Sequence, residues 1–376
     1  HQQASDPYFL YAAGNVGSIG ALAGYPLLIE PHLGLGAQTR VFTLGYAALV
    51  ALTAGCALLV RAQSSHRMES AAPRSRLAPR RRLTWVALAA VPSALLLGVT
   101  RHLATDVASF PLLWAVPLAL YLLTFVIAFR AGSERRVETV NMLVLIGAIG
   151  LPLSFLGLGL AMTVGIHLAW FFAAALLCHL RLAADRPPVE HLTEFYAWLS
   201  VGGAIGGVTV ALLAPVFFDR VWEYPLAIVA AVALGVPMRR LGTRGRHART
   251  AATTVVVIML VAAGVWFRAD DDFRMTAASL GAAGALVYLV WGRPRIMAPL
   301  TAATLVVVVA VGPTQAIHRD RSFFGTYEII AYPDRTELVM GTTIHGRELA
   351  DNPGHASSYY HPAGPLGAAF ERGDGE

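Results

Sequence analysis

The chain has 376 residues, of which 56% are apolar and only 14% charged, with a mean hydropathy of +0.57 and a net charge of +6. Globular chains carry about 25% charged residues, so this composition excludes a soluble enzyme, a disordered chain and a nucleic-acid-binding domain. All 29 basic residues are Arg, which excludes chemistry needing an in-chain lysine, such as a P-loop, a kinase strand lysine or a pyridoxal Schiff base.

A bilayer-spanning helix takes roughly 20 mainly apolar residues. By that ruler the sequence predicts an all-α polytopic membrane helix bundle over 1–312 and a small C-terminal β-stranded region over 313–376. About eleven transmembrane helices are expected, near 8–29, 40–61, 84–100, 107–130, 139–157, 159–181, 192–217, 223–238, 251–267, 275–291 and 294–312. The first carries Gly14, Gly17, Gly20 and Gly24, small residues at spacings that let helices approach closely in lipid. Asn15 is its one strongly polar side chain at depth and is expected to bond to a neighbouring helix. Cys56 and Cys178 both lie in apolar runs and suggest neither a disulfide framework nor a metal site.

The arginines cluster between spans. Segment 61–83 holds Arg61, Arg67, Arg74, Arg76, Arg80, Arg81 and Arg82 against the single acid Glu69, and further clusters occupy 130–136, 239–249 and 293–295. If the spans alternate, these all fall on one side, and Arg-rich short loops are cytoplasmic. The opposite side carries Glu30, Asp219, Glu223 and Asp270–Asp272. Arg101, His102 and Asp106, Asp219 to Glu223, and Glu30 with His32 read there as loop charges in water or as a shared external vestibule.

His167 and His179, twelve residues apart, fit no ligand spacing, and no metal is predicted. His191 and Glu194, after the Pro187-Pro188 break, open the seventh span about a turn apart on one face. They read either as a helix start with a first-turn acid or as an intramembrane polar pair for a proton or a polar substrate. Downstream, Gly202, Gly203, Gly206 and Gly207 form a second close-packing set. In the tail, the runs 323–332 and 336–346 flank Pro333-Asp334-Arg335, the pattern of a β-hairpin.

The segments DPYFLYAAGNVGSIGALAGYPLLIEP (6–31), HLTEFYAWLSVGGAIGG (191–207) and RSFFGTYEII with GTTIHGRE and SSYYHPAGPLG (321–367) resemble bacterial polytopic membrane proteins fused to a spermidine-synthase-like domain. The resemblance runs through most of the chain. It implies a bacterial inner-membrane protein whose membrane portion anchors, or feeds substrate to, a C-terminal aminopropyl- or methyltransferase-type domain. That Rossmann-like part would follow the β-stranded region, so the chain reads as a fragment without transferase activity of its own. S-adenosylmethionine or its decarboxylated form is implied only with that domain, and a polyamine-like small molecule is the implied partner besides the bilayer. Glu348 holds the place where the family presents a Gln, and a carboxylate there repels a substrate carboxylate that an amide would bind. Tyr360 and His361 resemble the family's Tyr-His pair beside the polyamine. A small-molecule transporter with an accessory β-appendage is the alternative. Strict alternation puts the tail outside the cytoplasm, whereas a nucleotide-derived donor favours the cytoplasm. Either one short segment (84–100, 275–291 or 294–312) does not span, or the appended domain is external.

Overall fold

The computed structural model describes residues 8–64, 77–107, 112–130, 132–154, 159–236, 293–311, 316–323, 325–341, 343–358 and 361–364. Its helices are α1 (Phe9–Gly24), α2 (Leu35–Ser64), α3 (Pro79–Arg101), α4 (Ala115–Ala128), α5 (Val137–Ser154), α6 (Leu160–Ala184), α7 (Leu192–Val208), α8 (Glu223–Ala233) and α9 (Pro294–Val311). Single π turns extend α1 (Tyr25–Ile29), α3 (His102–Val107) and α7 (Thr209–Leu213). The strands are β1 (Ala316–Arg321), β2 (Thr326–Ala331), β3 (Arg335–Met340), β4 (Thr343–Leu349) and β5 (Asn352–Ala356).

Against the expectation of about eleven spans, five helical segments among the described residues are long and apolar enough to cross a membrane: Leu10–His32, Leu35–Arg61, Pro79–Ala104, Leu160–Ala184 and Val189–Phe217. The expected spans at 107–130 and 223–238 form helices of only 14 and 11 residues. At 1.5 Å per residue these rise about 21 and 16 Å, short of a hydrocarbon core about 30 Å thick. Those at 251–267 and 275–291 lie outside the described residues.

The core gathers around α3, which packs on α4, α6, α7 and α8. Its Trp85, Leu95 and Val99 are fully buried, as are Phe171 and Leu180 of α6 and Phe195 of α7. Gly202 and Gly206 bring α7 against the α3 backbone: a Cβ at Gly202 would lie 2.5 Å from Val86 O, and one at Gly206 would overlap Ala90 O. Gly203 meets only Ser93 Oγ at 3.6 Å, and Gly207 meets nothing within 4 Å. The α1 glycines, expected to pack closely, likewise have no described atom within 4 Å of a Cβ position. Asn15 bonds within its own helix, to Tyr11 O at 2.7 Å, rather than across to another. Along α2 the large apolar side chains are exposed, Phe42 at 74% and Leu52 at 70%, a surface suited to lipid.

The five strands form one antiparallel meander in chain order. The expected hairpin is β2 and β3, with Tyr327 opposite Met340. The run 336–346, expected as one strand, is divided into β3 and β4 because the chain reverses at Gly341, whose φ of 60° suits a residue without a Cβ. Ion pairs join strands that have little apolar cover. Arg319 meets Glu328 at 2.6 Å, and Glu337 accepts from Arg335 and Arg347, both at 2.9 Å.

Burial pushes the Glu337 carboxyl upward, but the hydrogen bonds from Arg335 and Arg347 outweigh it and hold the group below the ordinary carboxylate range. A lowered folded value gives stability that is complete above the unfolded value and lost as pH falls through the folded one. Acid titration followed by hydrogen exchange in β3 and β4 should therefore show a loss of protection on the acid side. That acid limb should flatten in Glu337→Gln, and an unchanged limb in the variant would assign it to other groups.

Candidate functional site

One end of the bundle is built on arginine. Arg81 Nε pairs with Asp185 at 3.1 Å, and Trp85 Nε1 donates to the same carboxylate at 2.8 Å. Arg82 Nε lies 2.7 Å from Glu194, and His191 Nδ1 lies 3.4 Å from Glu194 Oε2. Trp198 Nε1 donates to Glu194 at 3.4 Å. His191 and Glu194 thus belong to the start of α7, where Glu194 ties α7 to α3. Tyr8 reaches the same corner by donating to Pro187 O at 2.7 Å.

The other end holds a buried polar cluster. Ser154 closes α5, and Thr163 and His167 lie one turn apart on α6. The π turn after α3 presents His102, and α8 opens with Glu223 and Tyr224. His167 Nδ1 is 2.7 Å from Tyr224 Oη, and its Nε2 is 2.9 Å from Ser154 Oγ. The Ser154 hydroxyl donates to Leu151 O at 2.5 Å, so His167 Nε2–H donates to Ser154 and Nδ1 accepts from Tyr224. This is the neutral Nε2–H tautomer. The His102 ring lies 4.6 Å from His167 and stacks 5.4 Å from Tyr224. Gly98 makes room for Tyr224, since a Cβ there would come 2.9 Å from the ring.

Glu223 carries the charge of this end. Arg321 of β1 holds it bidentately, at 2.6 and 3.1 Å, with both side chains 2% exposed. Arg101 Nη1 lies 3.7 Å from the same carboxylate, and Arg321 also donates to Arg220 O. The sheet is thereby locked to the bundle through a fork-to-fork pair. Below it, the Ser154–His167–Tyr224 chain links hydroxyl, imidazole and hydroxyl, groups able to hand a proton along a buried line.

Of the charges expected as loop groups in water or as a vestibule, Arg101, His102 and Glu223 come together and are largely withdrawn from solvent. Glu30 and His32 do not join them; both are exposed, and His32 Nδ1 lies 2.9 Å from Leu28 O. The Asp106 side chain lies outside the described residues. His179 belongs to a separate buried group, with Nδ1 2.7 Å from Thr124 Oγ1 and Phe125 stacked 3.6 Å away. Its Nε2 has no hydrogen-bond partner among the described residues. No group of three metal-ligating side chains occurs among the described residues.

Two of the three substrate-side residues taken from the resemblance serve turns. Glu348 accepts the Gly354 N–H at 2.6 Å, and His361 Nδ1 accepts the Ala363 N–H at 3.0 Å. Tyr360 lies outside the described residues. The sequence reading missed Ser154, Tyr224 and Arg321. Each is an ordinary residue at an element end, and only the crossing of α3, α5, α6 and α8 brings the first two to His167. A usable signal for Arg321 was its place just after the last apolar run, in a segment otherwise read as polar strand.

Five long apolar helical segments among the described residues, a bundle with one Arg-rich end and a sheet clamped on the other mark a helical membrane protein with an antiparallel appendage. Comparison with family models, curated proteins and solved structures gives no match to this chain.

Proposed function

We propose that the chain is the membrane portion of a bacterial inner-membrane protein of the spermidine-synthase-like fusion type, with its Arg-rich loops in the cytoplasm. Its role is to anchor, or deliver substrate to, a C-terminal transferase domain of the aminopropyl or methyl type that these residues do not include. The observation that supports this reading best is the Arg321–Glu223 pair, buried on both sides. A rigid joint between bundle and sheet is what an anchoring role needs, because it fixes where the appended domain stands relative to the membrane. The resemblance of 6–31, 191–207 and 321–367 supplies the chemistry of that domain.

Calorimetry on the purified 376-residue chain in detergent tests the assignment. The expected result is no binding of S-adenosylmethionine or its decarboxylated form. Saturable binding of either by these residues alone would contradict it.

The second reading is a small-molecule transporter, favoured by the Ser154–His167–Tyr224 chain inside the bundle. Proteoliposomes separate the two. Uptake of a labelled polyamine that is lost in His167→Phe supports transport, and flux no greater than in empty liposomes supports the anchor.

A further inference from the structure

The two ends of the bundle differ in charge, and the sheet stands on only one of them. At the first end, Arg81 and Arg82 at the start of α3 pair with Asp185 after α6 and Glu194 at the start of α7. Asn141 of α5 bonds both ways with Val236, at 2.8 Å each, and Arg181 donates to Leu234 O. The start of α5 and the end of α8 therefore lie at this same end, and with them Arg135 and Arg136, which lead into α5. Pro294 lies against Gly235, so Arg293 and Arg295 at the start of α9 belong here too.

The second end is marked by Arg101, twenty residues along α3 from Arg81. That separation is a rise of about 30 Å, the thickness of the hydrocarbon core. Here two arginines, Arg101 and Arg321, share the one acid Glu223, whereas the first end gathers Arg81, Arg82, Arg135, Arg136, Arg181, Arg293 and Arg295. Since Arg321 is on β1, the sheet stands at this end. Segment 84–100, left open by the sequence, runs from one end of the bundle to the other as α3, and α9 starts at the first end.

Arginine-rich short loops stay in the cytoplasm. We infer that the C-terminal sheet lies on the non-cytoplasmic face, and with it any domain that follows the sheet. What such a domain binds rests on the transferase reading above; the side of the sheet does not. A domain so placed reaches a cytosolic donor only if the bundle carries that donor across.

Single-cysteine labelling tests the side directly. In a Cys56→Ser, Cys178→Ser background, Asp351→Cys probes the exposed β4–β5 turn and Arg135→Cys probes the exposed approach to α5. A membrane-impermeant maleimide should label D351C in bacterial spheroplasts and lose that label in inverted vesicles, with R135C showing the reverse. Label on D351C from inverted vesicles alone, or on both probes from one side, would overturn the inference. Should the cysteine background misfold, alkaline phosphatase or green fluorescent protein fused after Glu376 of the unmodified sequence gives a second readout. Phosphatase activity is expected, and fluorescence without phosphatase activity would overturn the inference equally. Failure of the transferase reading appears in the donor-binding assay and leaves the labelling pattern unchanged.

Discussion

Arg321→Ala is expected to destabilise the folded protein by about 3 kcal/mol and to release the sheet from the bundle. Breaking a buried ion pair by removing one partner costs about 3–5 kcal/mol, because the remaining charge is left without compensation. Here the remaining charge is Glu223, 2% exposed, and Arg101 at 3.7 Å offers it a weaker partner, which places the cost at the lower end. Arg321→Lys should recover only part of the loss, since an ammonium lacks the planar fork that meets both carboxylate oxygens. The double variant Arg321→Met, Glu223→Leu should lie much closer to the parent, because it removes both charges. Thermal unfolding in detergent and the rate of proteolysis within 316–356 read the two effects. An R321A variant that melts with the parent and keeps the sheet protected would dismiss the pair as a structural joint.

The second large effect is expected at the contact of α3 with α7. Alanine at Gly206 puts a Cβ onto Ala90 O, and alanine at Gly202 puts one 2.5 Å from Val86 O. Both obstacles are backbone and cannot turn aside, so α7 must move as a body. Overpacking of this kind costs about 1–3 kcal/mol, and Gly206→Ala belongs at the top of that range. Gly207→Ala, one residue away with nothing within 4 Å, supplies the control. It should be neutral or stabilising by about 0.5–1 kcal/mol through the lower backbone entropy of alanine. Equal melting temperatures for the variants at 206 and 207 would argue against a glycine-dependent contact.

The helical membrane class was legible because it rests on composition, and composition survives any arrangement in space. Apolar runs at 8–29, 40–61, 84–100, 159–181 and 192–217 correspond to the five long apolar helical segments among the described residues. The short ones misled because α4 and α8 are as apolar as true spans, and a composition window does not register where a helix stops. Glycine spacing had the same weakness. The α1 set and the 202–207 set look alike in sequence, yet only Gly202 and Gly206 have a backbone opposite them. Which helix lies across from a small residue is a fact of tertiary structure. At the polar cluster, the sequence supplied Arg101, His102 and Glu223 as charges between spans. It gave no reason to join them with Ser154 and Tyr224, which lie 13 and 57 residues from His167 along the chain. The β2–β3 hairpin followed from Pro333-Asp334-Arg335 between the β-forming runs 323–332 and 336–346, whereas the division of the second run into β3 and β4, and strand β5, depend on turns at Gly341 and Gly354 that local propensity did not single out.

The clamp on Glu223 also has an order in time. Helix α3 leaves the ribosome before α6, α7 and α8, so the bundle gathers around a helix that is already inserted. Glu223 follows with Arg101 already in place, and Arg321 comes 98 residues later, beyond α9. The buried bond between sheet and helices therefore closes only after α9 has been made.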